Sequence, residues 1–456
     1  GDPNPHFFNY PSLVLYLHAA LHLDGPLLGW IPGLAEQPPI TQVMGVSYAP
    51  TAGSVLLHRG VTVLLGVLTV LVGWLTTRRL TGGVAPAAVT AALLALSPTL
   101  VQHSRYVTPD VPAGLFVALA LLASVWLLHS GRRQAYAAAG VAVGLAASAK
   151  YTAVLVAVPV VLAALLAHRG RDAGPVHPAA LRLPLAGSCA IGAFLLTTPY
   201  ALLDAPAFRA GLGFERAHYA TGHEGMEGGS LAFYLGHLLT TESVLTLLAV
   251  AGLVAMARQQ RQQWRAVAVV ASFPLVYGAA VAAAPVRNDR TILLVLPALA
   301  VLAGLAVPPI LRWAARQRRV YRIPVAVTAT LGAALLVASA VSTLPRPGPS
   351  TWTEASRWLD AHAAPGSQLL IESYAPWPDP ARYRVSARGR LIDGGPVPLA
   401  TDYVIASETM YGRYLDAPGH YPGPATAYRE LFATLPQVAI FDEGPGPVIR
   451  VFAGPS

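Results

Sequence analysis

The chain has 456 residues, of which 54% are hydrophobic and 12% are charged, and its mean hydropathy is +0.51. Soluble proteins carry about twice that charged fraction, so this composition excludes an ordinary soluble protein and predicts one surrounded largely by lipid. The formal net charge of +9 does not predict a nucleic-acid partner, because the basic residues are spread over short loops rather than gathered in one patch. The single cysteine, Cys189, excludes an intrachain disulfide.

Long apolar runs predict about ten membrane-embedded helical segments, because such runs can cross a hydrocarbon core roughly 30 Å thick only as helices. The segments are 53–77, 84–103, 110–129, 135–149, 151–167, 183–203, 231–256, 266–285, 291–310 and 323–344. Residues 1–50 precede them and are predicted to form an external loop in which Tyr10 to Leu23 makes a short interfacial or re-entrant helix. An external loop needs a helix to carry it across, so we expect a first helix upstream of Gly1.

The basic residues of the connecting loops predict the orientation. Alternate loops, beginning at Arg78, Arg132, Arg169, Arg258 and Arg312, hold most of them, whereas the intervening loops are poorer in arginine and richer in acidic residues. By the positive-inside rule the arginine-rich loops are cytoplasmic. Both ends of the chain are then extracytoplasmic, and the protein is expected in the cell membrane as a multi-pass protein.

The pattern changes after Pro345, where a Pro/Gly-rich linker is followed by sequence without a membrane-length run. Thr351 or Thr353 can begin a helix that Pro365 and Gly366 end. Short runs rich in β-branched residues predict strands at Gln368–Glu372, Asp402–Ser407, Gln437–Phe441 and Val448–Phe452. We therefore predict an all-α polytopic membrane domain over residues 1–345 and a small extracytoplasmic α/β domain over residues 346–456.

Cations close to the membrane boundary are the first candidates for a site, since charges at membrane depth are costly. Lys150 lies between two short apolar runs, and Arg287 and Arg290 precede a long apolar helix; each could bind a phosphate group. Arg59 lies inside a predicted segment and is expected to face protein or a polar cavity. The alternatives are a snorkelling lysine and an interfacial ion pair of the arginines with Asp289.

Polar residues at predicted helix ends and in one loop are candidates for contact with a substrate. They are His6, Tyr10, His103, Arg105, Tyr106, Asp110, Tyr219, His223 and Glu224. Asp110 could instead cap a helix, and the Gly-rich loop 204–230 could be either a mobile cover or a plain connector. His6, His223 and Glu224 could bind a divalent metal, although their spacing does not require one.

Five segments, in chain order, resemble bacterial glycosyltransferase family 39. They are HFFNYPSL at 6–13, RYVTPDVP at 105–112, GLAASAKYT at 144–152, TTPYALLD at 197–204 and RNDRTILLVLP at 287–297. The resemblance covers roughly residues 1–345. It implies a GT-C fold, related to protein O-mannosyltransferases and to the aminoarabinose transferases that modify lipid A.

The resemblance also implies an activity, the transfer of a sugar from a polyprenyl-phosphate donor to a hydroxyl of a lipid, glycan or protein acceptor outside the cytoplasm. Lys150, Arg287, Arg290 and Arg59 would then bind the donor phosphate. The family's general base is an Asp, usually followed by Glu, early in the first external loop; we expect it upstream of Gly1. The alternatives are a transporter or flippase and a non-catalytic lipid-binding membrane protein, although the sequence lacks the internal repeat that many transporters show.

Overall fold

The computed structural model describes residues 2–23, 41–43, 46–48, 52–167, 179–222, 224–225, 229–258, 264–317, 319–344 and 348–455. The chain divides into two compact units, the first comprising residues 1–36 and 50–344 and the second residues 37–49 and 345–456, so the predicted boundary near residue 345 holds except for the short segment 37–49. A short antiparallel hairpin pairs β1 (Thr41–Val43) with β2 (Val46–Tyr48).

The first unit is built from helices. They are α1 (Leu13–Leu23), α2 (Ala52–Thr81), α3 (Val84–Ala95), α4 (Pro98–His103), α5 (Asp110–Ser130), α6 (Arg133–Ala149), α7 (Ala157–Leu166), α8 (Ala179–Thr197), α9 (Tyr200–Leu203), α10 (Ala205–Thr221), α11 (Ser230–Thr240), α12 (Ser243–Arg258), α13 (Trp264–Ala282), α14 (Leu296–Arg316) and α15 (Arg319–Ser342). Two 3-10 helices, Tyr151–Val156 and Asp289–Leu294, precede α7 and α14. The multi-pass helical architecture predicted from hydropathy is confirmed.

Four described helices are long and apolar enough to cross a membrane, namely Leu56–Thr81 of α2, α5, α13 and α14. A fifth candidate is α11 with α12, which meet at a bend of 97°. Shorter apolar helices cover Val84–Ala95, Tyr151–Leu166, Arg182–Thr197 and Ala326–Ser342. Several segments that were predicted as continuous are therefore broken into two helices in the structure, among them 84–103 and 231–256.

The breaks coincide with proline and with charged or hydroxyl residues. Pro98 begins α4, where it lacks an N–H that would be unpaired in any case, and the Ser97 hydroxyl accepts a hydrogen bond from the amide of Leu100. Lys150 ends α6 in an extended backbone conformation. Each break places polar side chains between apolar helices, where a site can form.

Glycine allows α6 and α8 to pack backbone against backbone. A Cβ atom at Gly140 would collide with the carbonyl oxygen of Ala186, and one at Gly144 with that of Ala190. This is the small-xxx-small spacing that brings membrane helices close together. The close contact fixes the last turns of α6 and therefore the position of Lys150.

The second unit is an α/β domain, as predicted. Its elements are α16 (Thr351–His362), β3 (Gln368–Glu372), β4 (Arg384–Arg388), β5 (Tyr403–Ser407), α17 (Glu408–Leu415), α18 (Pro422–Thr434), β6 (Gln437–Phe441) and β7 (Ile449–Ala453). The sheet has the order β4-β3-β5-β7-β6; β3 is parallel to β4 and β5, and β7 is antiparallel to β5 and β6.

The sheet of the second unit is covered on both faces. Leu369 and Ile371 pack in one apolar cluster with Leu359 of α16, whereas Leu370, between them, packs with Tyr414 of α17 and Tyr428 of α18. Alternate residues of a strand point to opposite faces, so β3 is apolar on both faces and could be predicted from its sequence. The edge strand β4 could not be predicted, because it contains two arginines and a serine.

Candidate functional site

Asp110, Lys150 and Arg290 meet at one point of the first unit. Asp110 begins α5, Lys150 follows α6, and Arg290 lies in the 3-10 helix before α14. Lys150 Nζ donates a hydrogen bond of 2.6 Å to Asp110 Oδ1, and Arg290 Nε lies 3.8 Å from Asp110 Oδ2. Asp110 is 1% exposed and Lys150 7% exposed. Charges buried to this degree are normally retained only when paired, as these are.

The same residues line a small cavity of about 80 Å³. Its lining residues are Tyr10, Asp110, Lys150, Glu215, His218, Tyr219, Val286, Asn288, Arg290 and Thr291. Tyr10, Asp110 and Tyr219 were predicted as substrate contacts, and Lys150 and Arg290 as phosphate-binding cations. The structure thus brings five of the predicted residues to one cavity.

Sequence analysis did not select Glu215 or His218, which share this cavity with Tyr219. The three residues lie three and four positions apart on α10 and therefore on one face of that helix. Burial raises the pKa of the Glu215 carboxyl above its ordinary value. Their helical spacing could have identified them, but it was not considered because residues 204–230 were interpreted as a loop.

His103 belongs to a neighbouring ion pair. Its Nε2 lies 3.4 Å from Asp289 Oδ2, and His103 is 6% exposed. The adjacent His103 imidazole holds the pKa of the Asp289 carboxyl below its ordinary value. Asp289 Oδ1 also accepts a hydrogen bond of 2.7 Å from the amide of Arg290. The pair therefore ties the end of α4 to the 3-10 helix that carries Arg290.

Three of the predicted arginines lie elsewhere. The Arg287 guanidinium lies 5.4 Å from the ring centre of Phe233, and Arg287 is not among the described residues that line the cavity. Arg59 is exposed on α2. Arg105 donates a hydrogen bond of 2.5 Å to the carbonyl oxygen of Thr343. Of the four predicted phosphate-binding residues, Lys150 and Arg290 lie in the cavity; Arg287 and Arg59 are not placed there.

The other predicted substrate contacts that the structure describes are not among the residues that line the cavity. His6 is exposed, with Nε2 2.7 Å from Asp2 Oδ2. Tyr106 is 43% exposed and its ring contacts that of His103. Glu224 is exposed, and His223 lies outside the described residues. Across the part of the chain that the structure describes, no three His, Cys, Asp or Glu side chains are grouped as a metal site would require.

Glu242 is a buried acidic residue that sequence analysis did not select, because it lies inside the predicted apolar segment 231–256. It is 2% exposed, lies at the bend between α11 and α12, and accepts hydrogen bonds of 2.6 Å from the Ser97 hydroxyl and 3.0 Å from the amide of Thr99. Since both donors are at the start of α4, the carboxylate joins the bent helix pair to α4. At its other end α4 carries His103.

Comparisons with known proteins agree with this architecture. A family model described as dolichyl-phosphate-mannose-protein mannosyltransferase matches residues 54–184. The crystal structure of ArnT from Cupriavidus metallidurans bound to undecaprenyl phosphate has a TM-score of 0.58 and 15% identity, covering 99% of this chain and 90% of that chain. The apo structure of the same protein has a TM-score of 0.58 and 16% identity, covering 99% of this chain and 89% of that chain.

A cryo-EM structure of the arabinofuranosyltransferase AftD from Mycobacteria has a TM-score of 0.44 and 16% identity, covering 89% of this chain and 35% of that chain. No curated protein sequence matches the chain. The family match and the fold shared with ArnT confirm the resemblance to glycosyltransferases of the GT-C fold that the motifs predicted.

Proposed function

We propose that this protein transfers a sugar from a polyprenyl-phosphate donor to an acceptor hydroxyl at the extracytoplasmic face of the membrane, and that Lys150 and Arg290 bind the donor phosphate. The observation that carries the proposal is the convergence of both cations on one cavity. The structural neighbour ArnT was crystallised with undecaprenyl phosphate, which supports a donor of this class.

The reaction requires positive charge beside the leaving group. The acceptor oxygen forms a bond to the anomeric carbon while the bond between that carbon and the phosphate oxygen breaks. The electron pair leaves with the polyprenyl phosphate, and the hydroxyl proton passes to a carboxylate base, which the resemblance places in the first external loop. Cations held in advance where this negative charge develops lower the barrier most, because they need not reorganise during the reaction.

Asp110 fits the role of a positioning residue. Its carboxylate lies between Lys150 and Arg290, so the three groups together carry one net positive charge. Without the carboxylate, the buried Lys150 ammonium and the partly exposed Arg290 guanidinium would repel each other. With it, both cations stay charged and in place until the donor phosphate arrives. Arginine contributes a planar fork that matches phosphate oxygens, whereas lysine contributes a point charge.

The test is release of polyprenyl phosphate from a radiolabelled polyprenyl-phosphate sugar, with the purified protein in lipid nanodiscs and a panel of lipid, glycan and protein acceptors. Arg290→Ala should reduce release strongly, whereas Arg287→Ala, at a neighbouring arginine outside the cavity lining, is the matched control. Donor binding without release on any acceptor would contradict the proposal and favour a lipid-binding or transport role. Equal loss in both arginine variants would contradict the assignment of Arg290.

A further inference from the structure

The second unit carries a group of exposed aromatic side chains around one concavity. Trp352, Tyr374 and Trp377 are 41%, 49% and 42% exposed. Together with Thr353, Ser356, Ala375 and Pro376 they line a shallow cavity of about 620 Å³ that is widely open to solvent. Its volume is comparable to those of small-ligand sites, although it does not enclose a ligand as most of them do. Large aromatic side chains left in water around a concave surface indicate a binding site more than a folding requirement.

Two of the aromatic residues are restrained by contacts or by their backbone. Trp377 lies between Pro376 and Pro378, both of which are buried, so the segment that presents the indole is anchored on each side. The indole N–H of Trp352 donates a hydrogen bond of 2.8 Å to the carbonyl oxygen of Tyr374. The Trp352 indole and the backbone at Trp377 are therefore restrained, which limits the conformational entropy lost on binding.

Tyr374 shows backbone strain at the same place. Its φ angle is 67°, in the left-handed region that residues with a side chain rarely adopt. Strain of this kind persists where the surrounding structure enforces it, and it is concentrated at binding sites. Tyr374 follows β3 at its carboxyl end, between the parallel neighbours β4 and β5. Crevices outside the carboxyl ends of parallel strands are the usual ligand sites of α/β sheets.

The chemistry of the cavity matches a saccharide. One face of a pyranose ring presents C–H groups with partial positive charge, which pack against the negative face of an aromatic ring, while its hydroxyls point outward at the ring edge. Here the aromatic faces are joined by the hydroxyls of Thr353 and Ser356, and the Arg413 guanidinium lies 5.2 Å from the ring centre of Tyr374. Acidic and lysine side chains are not among the described residues of this lining.

We propose that the second unit binds a neutral oligosaccharide in this cavity, with Trp352, Tyr374 and Trp377 as stacking surfaces. The inference goes beyond the proposed transfer reaction, because it concerns binding and needs no turnover. A glycan held here would be a candidate acceptor, or a cell-surface polymer that retains the enzyme near its acceptor.

The experiment measures binding by the whole protein in lipid nanodiscs. Cellotetraose, chitotetraose and α-1,6-mannotriose are titrated separately, and binding is followed by tryptophan fluorescence and by saturation-transfer NMR of the sugar protons. At least one of the three should bind. Trp352→Ala and Trp377→Ala should each weaken binding roughly tenfold, and Trp377→Phe should lose less because it keeps an aromatic face.

Leu399→Ala is the control variant, since Leu399 is an apolar residue of the same unit, 81% exposed, and is not among the described residues that line the cavity. It should bind as the wild type does. Each variant's melting transition is measured alongside, and an unchanged melting temperature shows that weaker binding is not unfolding.

Three results would overturn the proposal. One is failure of all three oligosaccharides to bind the wild-type protein. A second is unchanged binding in both tryptophan-to-alanine variants. The third concerns the quenching of tryptophan fluorescence by brominated lipid. If this quenching is weaker in a double variant, Trp352→Phe with Trp377→Phe, than in the wild type, the two indoles contact lipid and are membrane-interface anchors. Since turnover is not measured, these outcomes are independent of the fate of the proposed transferase activity.

Discussion

The Lys150 ammonium lies 2.6 Å from Asp110 Oδ1, although the two residues are 40 positions apart and belong to the ends of different helices. The contact joins the last turn of α6 to the first turn of α5. Because both groups are buried, the contact determines where two charges lie in a largely apolar helical bundle. We interpret it as the structural basis of the proposed phosphate site.

Asp110→Asn should destabilise the first unit. The substitution leaves the buried Lys150 ammonium without its carboxylate, and breaking a buried ion pair in this way typically costs about 3–5 kcal/mol. Thermal unfolding in nanodiscs should show a clearly lower midpoint. Asp379→Asn, at an exposed position of the second unit, is the matched control and should leave the midpoint unchanged.

A charge-free replacement separates stability from activity at this pair. The double variant Asp110→Leu with Lys150→Met removes the buried ammonium together with its carboxylate, and only the partly exposed Arg290 loses a partner. Most of the stability lost in Asp110→Asn should therefore return. Turnover should remain low, because the ammonium that holds the phosphate is gone. Recovery of full turnover in the double variant would show that the pair is structural only.

Arg290 and Arg287 should behave differently, although they are three residues apart and equally basic. Arg290 lines the cavity beside Asp110, whereas Arg287 lies over the ring of Phe233. Arg290→Ala should lower turnover about 10²- to 10³-fold, as loss of one group that stabilises developing charge commonly does. Arg290→Lys should recover part of it, because the charge returns without the fork. Arg287→Ala should retain most activity.

The kinetic signature distinguishes a role in the reaction from a role in donor affinity. If Arg290 stabilises the departing phosphate, kcat falls in Arg290→Ala and Arg290→Lys while KM changes less. A rise in KM alone would assign Arg290 to ground-state binding. The same loss in Arg287→Ala would mean that the cavity does not mark the site.

The sequence predicted the helical class well because apolar length is a one-dimensional property. Lys150 and Arg290 could be selected for the same reason, as cations beside apolar runs. Asp110 was predicted only as a substrate contact or a helix cap. Its role as the common partner of the two cations could not be predicted, because it depends on how α5 and α6 pack. Glu242 was missed because one carboxyl in a long apolar run barely changes hydropathy, and the strand Arg384–Arg388 because an exposed edge strand needs no apolar pattern.

Glu372 in the second unit should make stability depend on pH. It is 1% exposed, and burial raises the pKa of its carboxyl from an ordinary 4.5 to about 7, despite hydrogen bonds from the Ser407 amide and the Tyr428 hydroxyl. Between pH 4.5 and 7, therefore, the Glu372 carboxyl is protonated in the folded protein and ionised in the unfolded chain. The free energy of unfolding should fall as pH rises through this window, by about 3 kcal/mol, and then level off.

Hydrogen exchange of the β3 amides in the intact protein measures this dependence, after correction for the intrinsic rates. Glu372→Gln keeps the hydrogen-bond acceptor without the titration, so its curve should be flatter across the window and lie above the wild type at higher pH. Glu430→Gln, at an exposed residue of α18, should keep the wild-type slope. A wild-type curve that rises with pH would contradict the assignment of the raised pKa.

The alternating arginine loops predict that α10 with its following loop lies on the same, extracytoplasmic side as the second unit. In a Cys189→Ser background, single cysteines at Glu224 and at Ala364, both exposed, should react with a membrane-impermeant thiol reagent in intact cells. Gln134→Cys, an exposed position at the start of α6 and in the arginine-rich set, should react only after lysis. Labelling of Gln134→Cys in intact cells, with protection of the other two, would invert the orientation.

The orientation also decides on which side of the membrane the cavity opens, because Glu215 and Tyr219 of α10 line it together with Lys150 and Arg290. The inverted result would therefore move the proposed transfer reaction to the cytoplasmic face, where a soluble nucleotide sugar could replace the polyprenyl-phosphate donor.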